Sequence, residues 1–128
     1  MKKQAKIYIL EKGGDYSAIF SGTVEDSPNG YYIEYEDSEG VVCVIGYSKG
    51  IATVTRTQDP VYTIILEENC PHAFEISTPY GVIEAVAHPQ AVRSRAKGNS
   101  RLISLVYDLM LGKEKVRHEL KMRVDIEE

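Results

Sequence analysis

Hydrophobic and polar residues alternate along most of the chain with a period of two, the spacing at which the side chains of a β-strand share a face. The clearest case runs from Val116 to Glu127, where apolar residues and one histidine occupy every second position and charged residues occupy the others. A helix would scatter those same apolar residues around its circumference. The pattern therefore predicts a final strand of about a dozen residues, roughly twice the usual length.

Shorter extended segments precede this strand, and turn-forming residues (Gly, Pro, Asn and Asp) separate them. The predicted segments are 6–12, 16–25, 31–37, 41–47, 51–57, 61–67, 72–77, 82–88, 91–97 and 101–111. In the hairpin at 72–88, Pro79 presets φ at the first turn position, and Gly81 supplies the left-handed residue of a three-residue loop. Gly22 predicts a bulge or bend inside the second segment, and Pro89 predicts an interruption between 82–88 and 91–97.

These segments predict an all-β fold in one domain that spans residues 1–128. Consecutive strands joined by short turns pair as antiparallel neighbours, and closing such a meander into a barrel removes both exposed edges. No stretch has sustained helical periodicity. We expect about eight to ten strands, around an interior that is either filled by side chains or holds one small ligand.

The composition is that of a soluble globular protein, with 43% apolar and 27% charged residues. No segment approaches the roughly 20 apolar residues of a membrane-spanning helix, and the N-terminal run IYIL is too short for a signal peptide. We therefore expect a cytoplasmic location without membrane association, where Cys43 and Cys70 remain reduced thiols. A net charge of -4 argues against nucleic-acid binding.

Charge is unevenly distributed along the chain. Residues 93–101 (RSRAKGNSR) carry four positive charges and no negative one, whereas residues 34–39 (EYEDSE) carry four negative charges. A basic run of this kind is typical of a solvated strand edge or loop, and an anion or nucleic-acid contact is the alternative interpretation.

Arg56 is the first candidate for a functional side chain, because it shares strand parity with Ala52 and Val54. If that face lines the barrel, the guanidinium points inward and needs a partner. One interpretation is a pairing with an internal carboxylate or tyrosine near the barrel mouth, and the other is binding of an anion. The candidate ligand-binding set is Arg56, Tyr35, Tyr62, Tyr107 and His118. For His118, a hydrogen-bonded position on the apolar face of the last strand is the structural alternative.

Enzyme and metal motifs are weak. Cys70, His72 and His88 have no metal-site spacing, so we predict no metal and no cofactor. Glu34 and Glu36 have the Glu-x-Glu pattern that tunnel-shaped β-barrel phosphohydrolases use to hold a metal, but they lie opposite an apolar face and should point to water. We assign no catalytic residue and expect no enzymatic activity.

Several motifs of the chain resemble the YwiB-like family of uncharacterised bacterial proteins. They are FSG at 20–22, NGYYIEYED at 29–37, the strand ending in Arg56, STPYG at 77–81 and ISLVYDL at 103–109. The resemblance covers most of the chain and implies a calycin-like (lipocalin-like) β-barrel. The family is a domain of unknown function, so the resemblance implies a fold and no activity.

Two functions remain open, with an enzyme third. The first is non-enzymatic binding of a small amphipathic or anionic molecule inside the barrel. The second is a protein-interaction or homo-oligomeric module with a filled barrel. The segment 102–110 supports this second function because both of its faces carry large apolar residues, which favours cover by a partner such as a second copy.

Overall fold

The computed structural model describes residues 2–10 and 16–127, which form ten strands and no helix. The strands are β1 (Lys2–Leu10), β2 (Tyr16–Ser27), β3 (Gly30–Glu36), β4 (Val42–Ser48), β5 (Ile51–Arg56), β6 (Tyr62–Glu67), β7 (His72–Thr78), β8 (Gly81–Lys97), β9 (Ser100–Leu111) and β10 (Glu114–Ile126). Since there is no helix in this part of the chain, there is none long and apolar enough to cross a membrane. The predicted all-β class is confirmed.

One antiparallel sheet contains all ten strands, in the order β6-β5-β4-β3-β2-β1-β10-β9-β8-β7. The first and last strands pair continuously from Ala5↔Ile126 to Leu10↔Lys121, so the chain termini close the barrel. The remaining seam lies between β6 and β7. Between described residues it is joined by two isolated bridges, Val61↔Ser77 and Glu67↔Cys70. The predicted barrel is confirmed as nearly closed, with its opening in the middle of the chain.

Three local predictions were wrong in detail. Residues 81–97 form one strand, because Pro89 is accommodated at a register shift in the β8–β9 ladder and does not end the strand. The β7–β8 hairpin has a two-residue loop, since Thr78 pairs directly with Gly81. Gly22 pairs in register with both Ala5 and Tyr35, so it marks a close approach of neighbouring strands and not a bulge.

The barrel interior is filled by apolar side chains, as expected from the alternation. The largest fully buried ones come from seven different strands; they are Ile7, Val24, Ile33, Ile45, Leu66, Leu105, Met122 and Val124. The middle of the barrel is therefore a hydrophobic core.

The two ends of the barrel differ. Because all neighbours are antiparallel, the β3–β4, β5–β6, β7–β8 and β9–β10 loops lie at one end, which we call the mouth. At the opposite end, Arg101 points inward and binds Asp26 at 3.3 Å, and the Tyr31 hydroxyl lies 2.6 Å from Ser94 Oγ. Arg101 belongs to the basic run, and its inward position shows that the run does not act as one exposed patch.

Candidate functional site: the barrel mouth

A row of polar side chains crosses four strands at the mouth. The register pairs Tyr35 with Cys43, Cys43 with Arg56 and Arg56 with Tyr62. Each lies two residues from a core residue of its own strand, as Arg56 does from Val54, so all four point into the barrel. The register therefore places three of the five predicted site residues side by side.

Arg56 is compensated by carboxylates. Its Nη1 lies 3.2 Å from Asp37 Oδ2, and its Nη2 lies 3.6 Å from Glu39 Oε2 and 3.3 Å from the Asp59 carbonyl oxygen. The side chains of Arg56 and Asp37 are only 16% and 19% exposed. The buried Nε of Arg56 has no hydrogen-bond partner in the described residues. The structure thus contains the internal carboxylate partner that the sequence interpretation of Arg56 required.

Asp37 has two separate roles. Its Oδ1 accepts hydrogen bonds from the backbone N–H groups of Val41 and Glu39 at 3.0 and 2.8 Å, which shapes the β3–β4 turn. Its Oδ2 faces Arg56. The Val41 N–H above all, followed by the Glu39 N–H and Arg56, holds the pKa of this carboxyl below its ordinary value. The ion pair with Arg56 is therefore formed at neutral pH.

Aromatic rings complete the mouth on its other wall. Tyr107 pairs with His118 across β9 and β10, and their rings stack with centroids 5.3 Å apart. The Tyr62 ring packs against Phe74 at 6.4 Å. The phenol groups of Tyr62 and Tyr107 are close enough to interact electrostatically. All five predicted site residues thus lie at the mouth and face inward.

Burial keeps the tyrosine and cysteine side chains of the mouth in their neutral forms. It raises the pKa of Tyr107 to about 12, and it raises the pKa of Tyr35 and Tyr62 above the ordinary value as well. Burial, followed by the charge of Asp37, also raises the pKa of the Cys43 thiol. A protonated thiol is a poor nucleophile. The mouth therefore provides neutral hydrogen-bonding groups beside the Arg56–Asp37 ion pair, and its thiol is not activated for catalysis.

Apolar side chains with the same inward parity form the rim of the mouth. Ile83 and Val116 share a face with the core residues of β8 and β10 but remain 47% and 41% exposed. Phe74 and Ile76 on β7 are half-buried. These rim residues were missed from the sequence, because their strand parity is the same as that of the core residues. Exposure depends on the stagger between neighbouring strands, which the pattern of a single strand does not contain.

The other sequence candidates do not assemble into a site. Glu34 and Glu36 lie on the outer face of β3, and Glu34 is 3.6 Å from Lys2. His72 faces inward beside Phe74, whereas His88 pairs with Asp108 on the outer face. In the described residues, no three His, Cys, Asp or Glu side chains are arranged to hold a metal ion.

The outer face of β9 is less apolar than its sequence indicated. Leu102 is 39% exposed, but Val106 and Met110 are half-buried within the chain itself. Between them, Asp108 is buried under Gln90 and Arg117, which bind its carboxylate at 2.8 and 3.2 Å. Burial alone would raise the pKa of Asp108, but the hydrogen bonds from Arg117 and Gln90 outweigh it and lower that pKa. The predicted apolar face is therefore interrupted by an ionic cluster.

Comparison with known proteins identifies the fold and a family. The model of a family described as a domain of unknown function, DUF1934, matches residues 3–123. No curated protein matches the chain. The crystal structure of the YwiB protein from Bacillus subtilis has a TM-score of 0.80 and 15% sequence identity, over 99% of this chain and 94% of that one. At this identity the likeness establishes the barrel fold alone.

Proposed function

The chain belongs to the family of the domain of unknown function DUF1934, whose description names no activity, and from the geometry of the mouth we propose that the protein is a non-enzymatic binder of a small amphipathic molecule. The observation that carries the proposal is the exposure of Ile83 and Val116, which face inward at the rim. The phenol side chains of Tyr107, which is only 7% exposed, and of the half-buried Tyr62 are more buried than this rim. An occupant with an apolar body and a polar end matches this gradient.

The charges of the mouth favour a neutral or cationic polar end over an anionic one. Arg56 is already paired with Asp37 and approached by Glu39, so an anion would have to compete with two carboxylates for one guanidinium. A cationic group would meet carboxylates and aromatic faces, both of which attract it.

The filled interior sets the depth of binding. Ile33, Ile45 and Leu105 are at most 1% exposed, so the occupant reaches the level of the Tyr35–Tyr62 row and no further. A small ligand held at the mouth, and not a long one threaded through the barrel, is the type that this geometry supports.

The proposal is tested by NMR titration of the whole protein with octanol, octyltrimethylammonium and octanoate. We expect saturable shifts of the Tyr62, Phe74 and Tyr107 amides with the first two probes, and weaker binding of octanoate there. Ile83→Glu places a charge on the inward face of the rim and should abolish those shifts. Val82→Glu is the matched control, because Val82 is the adjacent residue, is 59% exposed and lies on the outer face.

Two outcomes would overturn the proposal. One is the absence of saturable shifts at the mouth with every probe, and the other is equal binding by the Ile83→Glu and Val82→Glu variants. Both positions are exposed, so each variant should fold, and an unchanged melting temperature would verify this.

A second candidate function is a homo-oligomeric or protein-interaction module, which the packed interior and the exposed rim support. In this case the rim of Ile83 and Val116 is covered by another chain. Size-exclusion chromatography with light scattering distinguishes the two functions. A wild-type oligomer that dissociates in Ile83→Glu and persists in Val82→Glu would support a protein partner at the rim and not a small ligand.

A further inference from the structure

The outer face of the barrel carries a groove of about 430 Å³ on β1, β8, β9 and β10, far from the mouth row. Two cross-strand rows of outward-facing side chains form it. One row contains Arg93, Ser104, Lys121 and Leu10, and the other contains Arg95, Leu102, Arg123 and Tyr8. Cations and apolar residues thus share one concave surface.

The small residue Ser104 accounts for the depression. It lies between the long side chains of Arg93 and Lys121 on the neighbouring strands. Neighbouring strands are about 4.8 Å apart, so the backbones of β8 and β10 are roughly 10 Å apart across this point. A gap of that width accommodates one small molecule lying between the two flanking strands.

Two of the four cations already have partners. Arg93 pairs with Glu68, and the Arg123 guanidinium lies 4.2 Å from the centroid of the Tyr8 ring and 3.3 Å from Asp125.

The other two, Arg95 and Lys121, have no carboxylate within ion-pair distance among residues 2–10 and 16–127. In a protein of net charge -4, these two cations beside the groove are therefore uncompensated within the part of the chain that the structure describes.

The floor of the groove is apolar. Leu102, which lies between Arg95 and Arg123, is 39% exposed, and Leu10 lies beside Lys121. Purely ionic recognition would not require an exposed leucine, whereas an organic anion uses both kinds of contact. A polyanion such as nucleic acid fits poorly, because Glu68 and Asp125 occupy the edges of the surface and the overall charge is negative.

We propose that this groove binds a small organic anion, with its anionic group between Arg95 and Lys121 and its apolar body on Leu102 and Leu10. The site is separate from the mouth, in both position and charge. It also gives a role to part of the basic run, since Arg93 and Arg95 face the groove while Arg101 faces the interior.

Octyl phosphate is the probe for this site, and NMR titration and calorimetry are the measurements. We expect saturable binding that shifts the amides of Arg95, Leu102 and Ser104 and weakens as salt is added. The double variant Arg95→Gln/Lys121→Gln should weaken the affinity about tenfold or more. The control is Lys6→Gln/Lys97→Gln, which removes the same charge from the next cross-strand row and should change affinity at most about twofold.

Inorganic phosphate and octanol separate the two parts of the recognition. Inorganic phosphate should bind this groove much more weakly than octyl phosphate, and octanol should leave the groove signals unchanged. The proposal is overturned if inorganic phosphate binds as tightly as octyl phosphate, if both double variants lose affinity equally, or if octyl phosphate shifts only mouth residues. The mouth proposal is tested by the amide shifts of mouth residues, so either proposal can fail while the other holds.

Discussion

At the level of single residues, the mouth depends on Asp37, whose two oxygens connect a turn to a buried arginine. The substitution Asp37→Asn keeps an oxygen acceptor for the Val41 and Glu39 N–H groups but removes the charge opposite Arg56. We expect the melting temperature to fall by a few degrees near neutral pH, and calorimetry can measure it. Glu36→Gln, an exposed neighbour, is the control and should have little effect.

The difference in melting temperature between the wild type and Asp37→Asn should depend on pH in one direction. The pKa of Asp37 is lowered in the folded state, so its contribution is present above the ordinary carboxyl range and is lost as the pH falls through the folded pKa. The melting temperatures of the wild type and of Asp37→Asn should therefore converge in acid. A difference that stays constant to low pH would show that the charge of Asp37 is not the cause.

Tyr107 should make the folding stability fall as the pH rises, in the opposite direction to Asp37. Burial raises its pKa from 10.0 to about 12, so the folded state resists deprotonation. The stabilisation is complete below pH 10 and is lost as pH rises toward 12, a change of about 2–3 kcal/mol. Tyr107→Phe should flatten this decline in chemical denaturation between pH 9 and 12. Tyr80→Phe, at a position 97% exposed, should leave it unchanged.

At the level of strands, the missing side chain of Gly22 allows β2 to pack closely between β1 and β3. A Cβ at this position would lie 2.6 Å from Ile7 Cδ1 and even closer to the Glu34 carbonyl oxygen. Gly22→Ala should therefore lower the free energy of unfolding by about 1–3 kcal/mol in urea denaturation. Ser21→Ala, on the exposed outer face next to it, is the control. Equal stability of both variants would mean that β2 shifts without cost.

The strands also show what the sequence can predict and where it stops. Alternation alone predicts β10 and the inward parity of Arg56, because parity is local to a strand. It cannot predict that Arg56 meets Asp37 or that Ile83 is exposed, since these depend on register and stagger between strands. Pro89 is a further example: its local signal predicts a strand break, but β8 pairs with β9 on both sides of it and continues as one strand.

At the level of the whole molecule, Pro89 lies where the turn beside the seam contacts β8. The turn between β6 and β7 docks onto β8, where the Asn69 N–H donates to the Pro89 carbonyl oxygen at 3.0 Å. The Val92 N–H donates to Glu68 on the same turn at 3.1 Å. Two hydrogen bonds therefore attach the turn between β6 and β7, which borders the seam, to the irregular part of β8.

Hydrogen exchange can locate this seam in solution. Successive N–H groups of a strand point to opposite neighbours, so about half of those in β6 and in β7 point into the seam. Between the bridges Val61↔Ser77 and Glu67↔Cys70, the described residues of β6 and β7 form no continuous ladder. We expect alternate amides of 62–66 and 72–76 to exchange roughly a hundredfold faster than those of 121–124, which lie between two continuous ladders. Uniform protection of all these segments would place the opening of the barrel elsewhere. Because Tyr62 and Phe74 lie on the two sides of the seam, an occupant of the mouth that contacts both rings should slow this exchange, and one bound only in the outer groove should not.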